Sequence, residues 1–128
     1  MKQLAQTGSW TSVVFINNNL CQARKALHKP TSESYEPCRI LWEKTRSEEQ
    51  SLKELLHICY KCHRLAPFCN YNGNTFVTIV KTLLDDILSR MPAEKAHVLR
   101  SITGHIVAGT ATHIEEKQLD EILKAFAK

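Results

Sequence analysis

Cys59-Tyr-Lys-Cys62-His63 places two thiols three residues apart with an imidazole directly after the second, and His57 and Cys69 flank the run. Zinc takes four such donors in a tetrahedron, so Cys59, Cys62 and Cys69 with His63 or His57 form a candidate metal set. The order Cys-x-x-Cys-His also matches covalent c-type haem attachment, where two thiols add across the haem vinyls and the histidine ligates iron. Two features oppose the zinc reading. The run contains one Cys-x-x-Cys rather than two, and it lies inside a helical pattern rather than a tight turn. Haem attachment in addition normally follows export, and the N-terminus shows no basic-then-apolar leader. Cysteine is among the most buried residue types and packs like a small hydrophobe. Cys59 and Cys62 continue the apolar face of Leu52, Leu55 and Leu56. They are therefore expected to be reduced core residues facing the helix that carries Phe76 to Leu88, with no cofactor; zinc is the alternative.

Other constellations are weaker. Glu54-Leu-Leu-His57 and Glu94-Lys-Ala-His97 repeat the Glu-x-x-His spacing of di-iron helical bundles, but both lie off the apolar stripes, beside Lys53, Lys61 and Lys95. His97, His105 and His113 recur every eight residues and are expected at the surface or at helix ends. The sequence has no glycine-rich phosphate loop, no Gly-x-Ser-x-Gly and no inward carboxylate pair, so a non-enzymatic protein is expected. Lys53, Lys61 and Arg64, preceded by Arg39 and Arg46, are candidate phosphate contacts. Glu43, Glu48, Glu49 and Glu54 are interleaved with them, which favours a solvated helix face.

The elements that must position these groups are helical. Apolar or small residues at 52, 55, 56, 59, 62 and 66 follow a 3.6-residue period. Upstream, Cys38, Leu41, Trp42 and Thr45 share one face after a capping Ser34. One helix from 35 to 65 would be amphipathic throughout except at Glu49; two helices are expected instead, because Ser47-Glu-Glu-Gln50 has the form of a capping box. Before them, Trp10 to Ile16 is expected to enter a helix running through Leu20, Ala23, Ala26 and Leu27, or else to precede one that begins at Asn17-Asn18-Asn19. After Pro67, the run Asn70-Tyr-Asn-Gly-Asn74 predicts a turn, with Asn74 or Thr75 capping the next helix. Phe76, Ile79, Val80, Leu83, Leu84, Ile87 and Leu88 mark that helix's buried face, widened by Val77. Pro92 opens a helix through Val98, Leu99, Ile102 and Ile106, which Gly109 stops. Thr112-His-Ile-Glu115 is a second capping box, leading into Leu119, Ile122, Leu123 and Phe126.

Four Gly and four Pro in 128 residues, with 43% hydrophobic and 23% charged residues, agree with a globular all-α fold. A compact single-domain bundle of five or six helices over residues 1–128 is predicted, loose at 1–9 and looped at 29–33 and 67–74. The net charge of +4 resides in residues 1–64, with ten Lys/Arg against six Asp/Glu. Five Cys, no apolar run of transmembrane length and no Asn-x-Ser/Thr sequon suggest free thiols in the cytoplasm or nucleus, away from membranes. A non-catalytic binding or regulatory module follows, its partner another protein or a second copy. The apolar positions Ile58, Tyr60, Phe68 and Val77 exceed what single stripes require and are expected to supply an exposed patch. Nucleic-acid binding through the basic first half is the alternative.

Overall fold

Ser9 accepts the amide of Ser12 at 3.2 Å and opens α1 (Trp10–Ala23). The computed structural model describes residues 8–48 and 51–126, apart from the side chains of Asp86 and Phe126. The expected loose start at 1–9 therefore falls almost wholly outside the described residues, as do Gln50 and the expected burial of Phe126. Every regular element among the described residues is an α-helix, and the fold is all-α. None of these helices is long and apolar enough to cross a membrane.

The helix α1 neither waits for Asn17 nor reaches Leu27. It runs through the asparagine triplet and stops where Lys25 turns left-handed at φ 54°, leaving Leu27 exposed. The poor helix propensity of asparagine is overridden by tertiary hydrogen bonds. Asn17 is buried; its Nδ2 donates to the Asn70 carbonyl (2.8 Å) and to Thr75 Oγ1 (3.0 Å), and its Oδ1 faces His28 Nδ1 at 2.8 Å.

Residues 35–65 form two helices, α2 (Tyr35–Arg46) and α3 (Leu52–Leu65). The capping box at the start of α3 is Ser51-Leu-Lys-Glu54, not Ser47 to Gln50. Ser51 Oγ accepts the Glu54 amide and Glu54 Oε1 accepts the Ser51 amide, both at 3.1 Å, while Ser47 closes α2 by donating its hydroxyl to the Lys44 carbonyl. Both serines suit a helix end, and Glu54 three residues after Ser51 decides which one begins α3.

Ala66, left-handed at φ 55°, ends α3. The segment after it is zipped to the one after α1: Thr31 N donates to the Pro67 carbonyl (2.8 Å), Cys69 N to the Lys29 carbonyl (2.9 Å), and Asn70 Nδ2 to the Leu27 carbonyl (2.9 Å). Phe68 lies beneath this zipper, stacked on Trp10 at 5.9 Å and edge-on to Tyr35. The Asn72 side chain brackets the Phe68 amide and carbonyl and starts α4 (Asn72–Ser89), two residues before Asn74. Thr75, expected as a possible cap, is buried inside the first turn.

The predicted face of α4 is buried, with Leu83 and Val77 packed at its margins, and α4 lies against α1, α3 and α5. Pro92 precedes α5 (Ala93–Ala108), Gly109 closes it at φ 81°, and the Thr112–Glu115 capping box opens α6 (His113–Phe126). The last helix is the least embedded. It packs chiefly on α5 and sinks only Leu119 fully among its described side chains.

The expected exposed patch is not where the pattern put it. Phe68 is buried, Ile58 and Val77 pack against the core, and Tyr60 is half-buried; the exposed large apolar residues include Phe15, Leu27, Ile40, Val98 and Ile114. Phe68 followed a proline in a turn-forming stretch, and such a position gives no sign that two loops will close over it.

Candidate functional site

On α3, Cys59 and Cys62 share the face that enters the core, and both are completely buried. Cys38, from α2, reaches them: its Sγ lies 4.0 Å from the Cys62 carbonyl oxygen. Burial pushes the Cys59 thiol strongly up, and Cys38 adds to the effect; at Cys62 the contact with Cys38 is the first cause and burial the second. Thiols held protonated in this way are poor nucleophiles. They also have no opening through which a haem edge would approach.

The remaining members of the candidate metal set point elsewhere. His63 Nδ1 is 3.0 Å from the Val107 carbonyl on α5, while His57 is exposed. Cys69 is exposed in the loop beyond Pro67, and its influence falls on Cys21, whose buried thiol is pushed up first by burial and then by Cys69. Among the described residues no three His, Cys, Asp or Glu side chains are placed to hold a metal ion. Spacing along the chain brought five donors together; helical rotation turns His57 away from the face of Cys59 and Cys62, the Val107 carbonyl takes His63, and Cys69 lies beyond the helix. The two Glu-x-x-His pairs separate likewise, with Glu54 engaged in capping α3 and Glu94 and His97 at the far side of α5.

Of the five basic candidates, Arg39 pairs with Glu36 (2.7 Å), Arg46 with Glu43 (2.7 Å) and Lys53 with Asp120 (2.8 Å). Lys61 and Arg64 are exposed on α3. Surface pairs of this kind contribute about 0–1 kcal/mol each, so they matter more for local charge than for stability.

Two clefts border α6, and neither was foreseen in the sequence. One lies between the start of α5 and the end of α6; it encloses about 600 Å³ and is lined by Ala93, Glu94, Lys95, His97, Val98 and Ile122. A smaller recess of about 130 Å³ shares Lys95 and Ile122 and extends to Met91, Pro92 and Ala125. The other lies between α3 and the α5–α6 turn, with about 260 Å³ lined by His57, Tyr60, Ile106, Gly109, Ala111 and Glu116. It shares His57, Ile106 and Glu116 with a recess of about 120 Å³ that adds Lys53, Leu56 and Leu119. Both clefts arise because a helix with one deeply buried residue cannot close the surface on either side of itself.

No protein-family model, curated protein or solved structure matches this chain. Its own geometry is what distinguishes the two clefts. The α5–α6 groove is an open apolar strip with charges on its rim, suited to another apolar surface. The α3 cleft is smaller and carries polar side chains on its walls, suited to a small polar molecule.

Proposed function

We propose that this chain is a non-catalytic helical binding module, a single domain whose partner is another protein held in the groove between α5 and α6. The observation that carries this reading is the apolar floor of that groove, where Val98 is 37% exposed beside Ile122. A large concave apolar strip on a small helical protein fits an amphipathic helix laid into it, with anchors at helical spacing. The rim carries Glu94 and Lys95 side by side, so a helix with charges of both signs along its flank fits it. Among the described residues that line the two clefts no Ser or Cys nucleophile stands beside a base, which supports a binding role over catalysis. Five free cysteines, four of them buried, support residence in a reducing compartment, the cytoplasm or nucleus.

A photo-crosslinker placed at position 94, on the rim of the same groove, tests the reading. A protein captured by the wild-type groove and lost on Val98→Glu, with helix content unchanged, is the expected result. A chain that runs as a strict monomer and captures nothing sensitive to Val98→Glu overturns it; a captured second copy makes self-association the function.

Nucleic-acid binding has less support, because Arg39, Arg46 and Lys53 already have carboxylate neighbours. Its mark would be affinity falling steeply with salt and lost on charge reversal at Lys61 and Arg64.

A further inference from the structure

We propose that the cleft between α3 and the α5–α6 turn is a binding site for a small organic amine, independent of the protein-docking groove. Three polar side chains line the cavity of about 260 Å³: His57, Tyr60 and Glu116. Tertiary hydrogen bonds occupy His28 and His63, and capping bonds occupy Glu54 and Glu115, but none engages these three side chains among the described residues. Glu116 Oε2 lies 3.7 Å from Nδ1 of the fully exposed His113, which is beyond a hydrogen bond and open to solvent. Polar groups grouped in a concavity and left without protein hydrogen bonds suit a ligand's polar end.

The charge balance selects the ligand's sign. Lys53 at the inner recess is matched by Asp120 at 2.8 Å, so Glu116, whose contact with the exposed His113 is a long one at 3.7 Å, is the carboxylate that the cleft presents to a ligand. A carboxylic acid would meet that carboxylate with like charge. An ammonium would meet it with a charge-assisted hydrogen bond, with the Tyr60 ring available for a cation–π contact. The rest of the ligand is apolar and compact, because the adjoining recess of about 120 Å³ has Leu56, Ile106 and Leu119 on its walls.

The turn opposite α3 accepts the Tyr60 ring at close range. Gly109 closes α5 with φ 81°, and a Cβ there would stand 2.7 Å from Tyr60 Cε1. Only glycine allows the tyrosine ring to lie against the turn at that distance while the backbone stays left-handed.

The test is an amide NMR titration of the intact chain with benzylamine, benzyl alcohol and benzoate, three probes of similar shape and different charge. Benzylamine is expected to shift the amides of Gly109 and Ala111 with millimolar affinity, and the other two to leave them in place. Glu116→Gln, a near-isosteric change at an exposed helix position, should weaken benzylamine about tenfold, the loss of one charged hydrogen bond, with helix content unchanged. Nα-acetyl-lysine N-methylamide carries its free side-chain ammonium on a thin stem and should bind more weakly than benzylamine. Equal binding of benzoate or benzyl alcohol, no shift with benzylamine, or unchanged affinity in Glu116→Gln overturns the site. Tighter binding of the lysine derivative overturns the assignment to a free amine in favour of a partner's lysine.

Discussion

His63 Nδ1 lies 3.0 Å from the carbonyl oxygen of Val107, tying the last turn of α3 to the last turn of α5. A carbonyl only accepts, so Nδ1 carries the proton and Nε2 is directed to the other side of the ring. There it meets the start of α4, where a Cβ on Gly73 would stand 3.2 Å from Nε2. Three helices thus share one imidazole.

That arrangement predicts an energetic coupling between positions 63 and 73. Gly→Ala within a helix is worth up to about 1 kcal/mol, but in the native protein the His63 ring opposes the added methyl, and Gly73→Ala should be close to neutral. His63→Ala should cost about 1–2 kcal/mol through the lost hydrogen bond and packing. In that background Gly73→Ala should be stabilising. Urea denaturation of the two single variants and the double variant measures the coupling; strict additivity would show that the two residues do not press on one another.

A second prediction follows from the thiols. Cys21, Cys38, Cys59 and Cys62 are buried and Cys69 is exposed, and the thiols of Cys21, Cys59 and Cys62 are held above their ordinary range. A chromogenic disulfide reagent should therefore find one rapidly reacting thiol in the native chain, lost in Cys69→Ser, and all five after denaturation. Rapid labelling of Cys59 or Cys62 in the folded state would contradict the core placement. Cys59→Ala should cost on the order of 1 kcal/mol or somewhat more, the cost of a small cavity.

Asn17 is the polar residue whose loss should be felt most. Its amide satisfies the Asn70 carbonyl and Thr75 Oγ1 and receives His28, so one side chain holds α1, the loop after α1 and the start of α4. Asn17→Ala leaves these groups without their partner and should cost about 2–4 kcal/mol. Asn18→Ala next to it should be nearly silent. Equal losses at the two positions in chemical denaturation would argue against the network.

Acid should loosen α6 through Glu115. Its carboxyl is held below the ordinary 4.5, first by the hydrogen bond with His105 and next by the Thr112 amide. A carboxylate with a lowered folded-state pKa contributes stability that is present above 4.5 and is lost as pH falls through the folded-state value. Melting temperature should therefore fall less steeply on acidification in Glu115→Gln than in the native chain. Parallel acid limbs for the two proteins would remove Glu115 from the account.

Much of the helical framework was legible because it depends on neighbours in sequence. The face of α4 follows from its 3.6-residue period, Pro92 and Gly109 bound α5, and Thr112 with Glu115 starts α6. Features that rest on distant partners were not legible. Asn17 looked like an interruption because its partners at Asn70 and Thr75 lie far along the chain. The Cys/His run looked like a ligand set because linear spacing hides the angle between side chains on a helix. Phe68 looked like surplus apolar surface because its cover, Trp10 and Tyr35, comes from two other helices. The clefts could not be read at all, since each is bounded by separate elements and occupied by none of them.

The burial of both tryptophans gives the protein a pair of built-in optical gauges. Trp10 Nε1 donates to Tyr35 Oη at 3.0 Å with its ring stacked on Phe68, and Trp42 Nε1 donates to the Gly8 carbonyl at 2.6 Å with its ring 6.1 Å from Phe76. An indole shielded from water emits to the blue of one that is solvated. Trp10 therefore reports whether the loop carrying Phe68 is seated, and Trp42 reports the junction of α2 with α4. With Trp10 or Trp42 replaced singly by Phe, the remaining indole separates the release of that loop from the opening of the helical core, with no dye attached.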